Sequence, residues 1–430
     1  MASPGLSYEQ APPFGTPLRL FLAAPLFLVL AAVLAMTDPD AWLASRWTPL
    51  SLALTHLLTL GYLGTVMTGA LLQMLPVVVG SPVPATGPIG WLALIGLGGG
   101  AMLLAAGFTL GAPTLLMLAA VSLAIGLVPF LAGTLVSLIR ARALPHVAWP
   151  MRQAWVALIL TFALGLALAT GLAGLWPPPD PPGLTSLHVA WGLGGWVLML
   201  VIGVAFQVVP MLQLTPPYPR GIMAILTGSL PVALLLFSLA GFFPASLAQA
   251  AEGLALVLGM ASSLAFALVT LKLQGQRRRK LPDVTLDFWR LGLASLIGVA
   301  LLVPAAMLEA NPWRDATQAI LGLLFLVGFA ASVVSGMLYK IVPFLSWFHL
   351  QAQTQAKAGS IPNMKQFIPD DRARWHFRLH LAAVVLLLPT PWLPHPVALP
   401  GLVLLAVSGL FLGVNLARAR RTYLAHGGAL

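Results

Sequence analysis

The sequence predicts an all-α, polytopic membrane protein of 12 transmembrane helices in three pseudo-threefold-related four-helix repeats. Of 430 residues, 59% are hydrophobic and 8% charged, with a mean hydropathy of +0.94. Charges are too few to clothe a water-facing surface, whereas lipid accepts an apolar exterior. Twelve stretches are apolar over the roughly 20 residues that a spanning helix requires. One pattern also recurs three times: glycine, three residues, a hydrogen-bonding side chain, two residues, proline. It reads Gly69-Ala-Leu-Leu-Gln73-Met-Leu-Pro76, Gly203-Val-Ala-Phe-Gln207-Val-Val-Pro210 and Gly336-Met-Leu-Tyr-Lys340-Ile-Val-Pro343, with the glycines 134 and then 133 residues apart. So regular a period marks an internal triplication.

The predicted spans cover 17–37, 51–79, 88–109, 113–139, 152–175, 187–213, 221–243, 247–272, 288–309, 317–346, 376–392 and 396–417. Residues 1–430 therefore form a single integral domain, with repeats over 17–139, 152–272 and 288–417. Residues 1–16 are polar and proline-rich and the first apolar run is long enough to span, so no cleavable signal peptide is predicted. The absence of cysteine excludes disulfides, iron–sulfur clusters and thiolate metal sites.

A net charge of +11 suggests nucleic acid until its distribution is followed. With loops assigned alternately, 20 of the 22 Lys and Arg fall on one side, including Arg140, Arg142, the run Arg277–Lys280, Lys357 and Arg418, and only Arg46 and Arg314 fall opposite. The positive-inside rule explains this split, predicts both termini in the cytoplasm of a bacterial inner membrane and removes the need for a nucleic-acid partner. The predicted partner is membrane lipid, and a homo-oligomer is compatible with the sequence. The connection 351–375 is expected to lie along the membrane surface.

The signature falls on helices 2, 6 and 10, and four helices per repeat keep all copies in one orientation, unlike inverted repeats. Offsets of four and seven lie on one helical face. The glycine, the polar residue and the proline are therefore expected to point inward together, making Gln73, Gln207 and Lys340 a polar ring near the cytoplasmic end. The competing reading is that the glutamines bridge helices, the prolines bend them and Lys340 snorkels to the interface.

Helices 2 and 6 each begin with a histidine. His56 lies 13 residues before Gly69 and His188 lies 15 before Gly203, about 20 Å along each helix. The third repeat has Leu321 and Leu323 instead. Neutral imidazole is a strong ligand for haem iron, copper and zinc, so His56 and His188 are candidate cofactor and metal ligands; a headgroup contact is the alternative. A second candidate set is His349 at the end of helix 10 with His376 and His380 on helix 11. The i, i+4 pair could hold a metal, although Arg372, Arg374 and Arg378 argue for an interfacial belt.

Twelve helices with histidine on helices 2 and 6 resemble subunit I of the haem–copper oxidases and the related NnrS-type bacterial membrane proteins. The segments His-Leu-Leu-Thr-Leu-Gly (56–61) with Gly-Ala-Leu-Leu-Gln-Met-Leu-Pro (69–76), and Tyr-Lys-Ile-Val-Pro-Phe-Leu-Ser-Trp-Phe-His (339–349), carry the resemblance. In that family the helix 2 histidine binds haem and the helix 6 histidine binds copper. The resemblance thus implies haem b, or copper, on His56 and His188. Other ligands of the family are missing: Gly192 stands where a tyrosine is expected, helix 7 has no histidine pair, and helix 10 offers Asp315, Thr317 and Gln318. The expectation is a haem-binding (or haem/copper-binding) protein without a complete oxygen-reducing centre, not a competent terminal oxidase. It would serve electron transfer or nitric oxide handling, with a redox partner or a respiratory or denitrification complex. The alternatives are a cofactor-free transporter or channel using Gln73, Gln207 and Lys340, or an assembly scaffold for a respiratory complex.

Overall fold

The computed structural model describes residues 8–141, 145–278, 280–308, 311–354 and 361–430, which are helical with no strand among them. Arg142, Arg279 and Lys357, used above to predict orientation, lie outside the described residues. Eleven of the described helices are long and apolar enough to cross a membrane. The first ten are α1 Gly15–Ala35, α2 Pro49–Val79, α3 Thr86–Thr109, α4 Pro113–Ile139, α5 Ala148–Leu172, α6 Pro181–Gln213, α7 Arg220–Phe242, α8 Ala245–Gly275, α9 Val284–Met307 and α10 Arg314–Gln353. Next comes α11, Asp370–Leu387, and then the eleventh apolar span, α12 Val397–Ala425. The predicted span over 376–392 is corrected by α11, which starts six residues earlier and takes in Asp370, Asp371, Arg372 and Arg374. That charged first half keeps it out of the apolar set.

Helix starts follow side-chain chemistry. Thr48 caps α2 by accepting from the Ser51 N–H ahead of Pro49, Asp180 caps α6 by accepting from Gly183, and Asp283 caps α9 by accepting from Thr285. At the far end of α2, Gly80 turns left-handed with φ 68° and stops the helix.

The interiors of α2, α6 and α10 share a feature invisible in composition. Each contains a π-helical stretch, Leu57–Gly64, Ala190–Leu198 and Leu323–Ala331, ending five residues before its signature glycine. π turns are rare and occur mostly as single bulges, so three long ones in register set these helices apart. Each stretch also holds a glycine eight residues before the signature glycine: Gly61, Gly195 and Gly328.

These glycines decide the packing. A side chain at Gly61 or Gly69 would strike Phe27 or Phe21 of α1; at Gly195 or Gly203, Ala157 or Pro150 of α5; at Gly328 or Gly336, Ser295 or Phe288 of α9. In each case the glycine face is pressed against the helix preceding it in the chain, where only the absence of a Cβ allows the approach. The expectation that this face points inward is therefore corrected. The inward face lies roughly a quarter turn round the helix, at about 100° per residue. It carries Val66, Ala70 and Met74 of α2, Leu200, Val204 and Val208 of α6, and Val333, Met337 and Ile341 of α10. These occupy identical offsets of −3, +1 and +5 from the three glycines and line an apolar space between the three helices, together with Trp289.

Because the glycine contacts are inflexible, Gly61→Leu, Gly195→Leu and Gly328→Leu should each destabilise the protein by on the order of 1–3 kcal/mol or more. Gly228→Leu, where a side chain would meet nothing within 4 Å, should be silent. Thermal unfolding midpoints in detergent check this.

Candidate functional site

The structure brings His56 and His188 together. The two imidazoles lie 6.2 Å apart, centre to centre, with planes inclined by only 23°. Their α2 and α6 positions are set by the two π stretches, which begin one and two residues later. His56 Nδ1 lies 2.7 Å from the Leu52 carbonyl one turn back, and His188 Nδ1 lies 3.0 Å from the Thr161 carbonyl of α5. A carbonyl accepts only, so in both neutral rings the proton resides on Nδ1 and the Nε2 lone pair is left free. Fixing one ring nitrogen on a carbonyl while presenting the other is how metal-ligating histidines are held.

The surroundings are small or flat. Phe108 of α3 packs 5.4 Å from the His56 ring. Gly165 of α5 makes room for His188, because a side chain there would meet the imidazole at 2.9 Å. Neither Phe108, Thr161 nor Gly165 could be picked from sequence, since each is an ordinary residue of an apolar helix. Among the described residues no group of three or more His, Cys, Asp or Glu is placed to hold a metal ion. The His56–His188 pair thus offers two nitrogen ligands, with no third side chain of those types.

The second predicted set separates. His376 and His380 are wholly buried, which overturns the interfacial-belt reading. They share a helical stripe with Arg372, whereas Arg374 and Arg378, two residues away from His376, emerge on the opposite side. There Arg374 approaches Asp287 at 3.8 Å and Arg378 stacks on Trp375. The buried stripe meets a polar ladder on α10 and α12. Tyr339 Oη lies 2.9 Å from His376 Nδ1 and accepts from Asn415 Nδ2 at 3.0 Å, Arg372 Nε donates to Asn415 Oδ1 at 2.9 Å, and Ser332 Oγ lies 2.9 Å from His380 Nε2. Phe288 packs against both rings. His349 is elsewhere, ten residues (about 15 Å of helix) beyond Tyr339 and stacked on Phe14 at 5.4 Å. Sequence reasoning missed Tyr339, Ser332 and Asn415. The usable signal was the i, i+4, i+8 recurrence of Arg372, His376 and His380, which needs polar partners if it is buried.

The residues expected to form the polar ring, Gln73, Gln207 and Lys340, do not line the central space. No hydrogen bond or ion pair joins Gln73, Gln207 and Lys340 among the described residues. Lys340 instead pairs with Asp283, the α9 cap, at 2.8 Å, and Gln73 is buried with Oε1 unpartnered. The reason is the rotation described above: these residues share the glycine face, not the face that lines the central space.

Comparison of the chain with protein-family models and with curated proteins gives no match.

The ladder around Tyr339 sets a stability test. Tyr339→Phe leaves His376 Nδ1 and Asn415 Nδ2 without a partner in the interior, which should cost about 1–3 kcal/mol. Tyr423→Phe, whose hydroxyl bonds Gln353 beside the exposed Ala429, should cost less. Parallel unfolding curves in detergent rank the two.

Proposed function

We propose that this chain is a haem- or copper-binding membrane protein that uses His56 and His188 as its ligands. The observation that carries this reading is the spacing of the pair. An imidazole nitrogen ligates a metal at about 2 Å, so two rings that would share one metal have centres within about 6 Å of each other. The value here is 6.2 Å, with near-parallel planes and both Nδ1 atoms held by carbonyls. His56 and His188 would hold a haem iron or a copper ion through their free Nε2 atoms, and two nitrogen ligands without a third among the described residues leave a four-ligand zinc site incomplete. Bound there, either group supplies one-electron chemistry. The residues of the chain fix the tautomer through Leu52 and Thr161, exclude side chains at Gly165, and shield the pair with Phe108.

The wider reading is twelve helices in three parallel repeats, with both termini in the cytoplasm of a bacterial inner membrane. In-register π stretches, equivalent glycine contacts and the threefold lining of the central space support the repeats. The charge split supports the orientation, with α11 counted as the twelfth crossing. Nitric oxide handling fits the central space: it is apolar, and apolar cavities accept small uncharged molecules. The same lining disfavours the transporter alternative, because an ion following the axis of α2, α6 and α10 would meet valine, leucine and methionine. An assembly scaffold would need no such arrangement of imidazoles.

The test is spectroscopy and metal analysis of purified protein after expression with haem supplementation or with copper. Expected is a Soret band, or about one copper per chain, lost in both His56→Ala and His188→Ala while His376→Ala retains it. Protein free of haem and copper under both conditions defeats the proposal.

A further inference from the structure

A second cavity, of about 790 Å³, opens between α1, α2, α10, α11 and α12 on the other side of α2 from the histidine pair. Its two ends differ in chemistry. The deep end is formed by apolar side chains such as Leu58, Leu326, Leu387 and Leu405, against a wall of small residues on α1. The mouth carries Arg46, Trp42, Gln318, Ser51 and Thr55.

Donors at the mouth are in excess. The Ser51 and Thr55 hydroxyls are already spent on carbonyls: Ser51 Oγ reaches those of Trp42 and Ser45, and Thr55 Oγ1 donates to that of Ser51. Three donors remain. The Trp42 Nε1–H is buried and has no partner. Arg46 makes no hydrogen bond among the described residues and rests on the Trp47 ring at 4.5 Å. Gln318 likewise makes none. No carboxylate lines the cavity. Burial, and then the like charge of Arg314, pull Arg46 below the ordinary arginine value. Arg314, 268 positions further along the chain, does not line the cavity but is near enough for its charge to act on Arg46. A guanidinium without a hydrogen-bond partner beside an unpartnered indole N–H, both lining the cavity, makes a receptor for negative charge.

We propose that this cavity binds an amphipathic anion, with its carboxylate or phosphate head on Arg46 and the Trp42 N–H and its hydrocarbon body between α1 and α10–α12. A free fatty acid and an anionic phospholipid both carry this chemistry.

The experiment titrates purified full-length protein in detergent with a brominated fatty acid, a brominated phosphatidylglycerol and a brominated monoacylglycerol, reading tryptophan quenching. Trp42→Phe isolates the signal from the mouth. Saturable quenching by the fatty acid, the phosphatidylglycerol or both is expected, at least tenfold weaker in Arg46→Gln. It should be abolished in Gly322→Phe, where the new ring enters open space in the cavity. Preference for one anion identifies the source of the head. His56→Ala should leave binding unchanged, so this result and the fate of the metal-site reading are independent. Absence of saturable quenching overturns the proposal. So does equal binding of the neutral lipid, or quenching that both cavity variants retain with unchanged melting temperatures.

Discussion

The contact on which the rest of the structure depends is the approach of α2, α6 and α10 to the helices that precede them. Lipid offers no hydrophobic drive for one helix to join another, so association must come from close van der Waals fit and polar bridges. Two glycines per helix, eight residues apart, supply the fit at α1, α5 and α9. Once that face is committed, the rotation of each helix is fixed, and with it everything else the helix presents. Valine, leucine and methionine turn to the centre, and the signature glutamines and Lys340 turn away from it. On α2 and α6 the same rotation, with the π stretches, turns two histidines toward each other.

Regular features of this fold were legible in the sequence: eleven spans to within a few residues, the period of the signature, and the likeness of His56 to His188. Other features depended on rotation about a helix axis, which the sequence constrains weakly. Offsets of zero, four and seven do share a face, but that rule does not say which neighbour the face meets. A glycine was as consistent with the centre as with α1. The π stretches compounded the difficulty, because a run of i→i+5 turns shifts every following residue around the axis relative to an α-helical count. The span at α11 was misjudged at its start for a different reason: hydropathy averages a stripe. His376 and His380 are buried, with Arg372 half-buried in line with them, on one face of a helix whose other face carries Arg374 and Arg378, and a window mean cannot separate the two.

The polar groups of the interior sort into two kinds once partners are counted. In the α11 ladder the polar groups are largely bound to one another: Tyr339 joins His376 to Asn415, Asn415 takes Arg372, and Ser332 reaches His380. A buried network with most of its members paired fixes register and resists change, which suits a structural joint between α10, α11 and α12. The His56–His188 pair is arranged otherwise. Its carbonyl bonds are local, made to Leu52 within α2 and to Thr161 of α5, and neither ring bonds the other. Two imidazoles on two helices, with ring centres 6.2 Å apart and no hydrogen bond between them, do not hold those helices together. The pair differs in this from His376 and His380, which lie 6.1 Å apart on one helix, each take a hydroxyl partner from α10 and leave their other ring nitrogens buried without one.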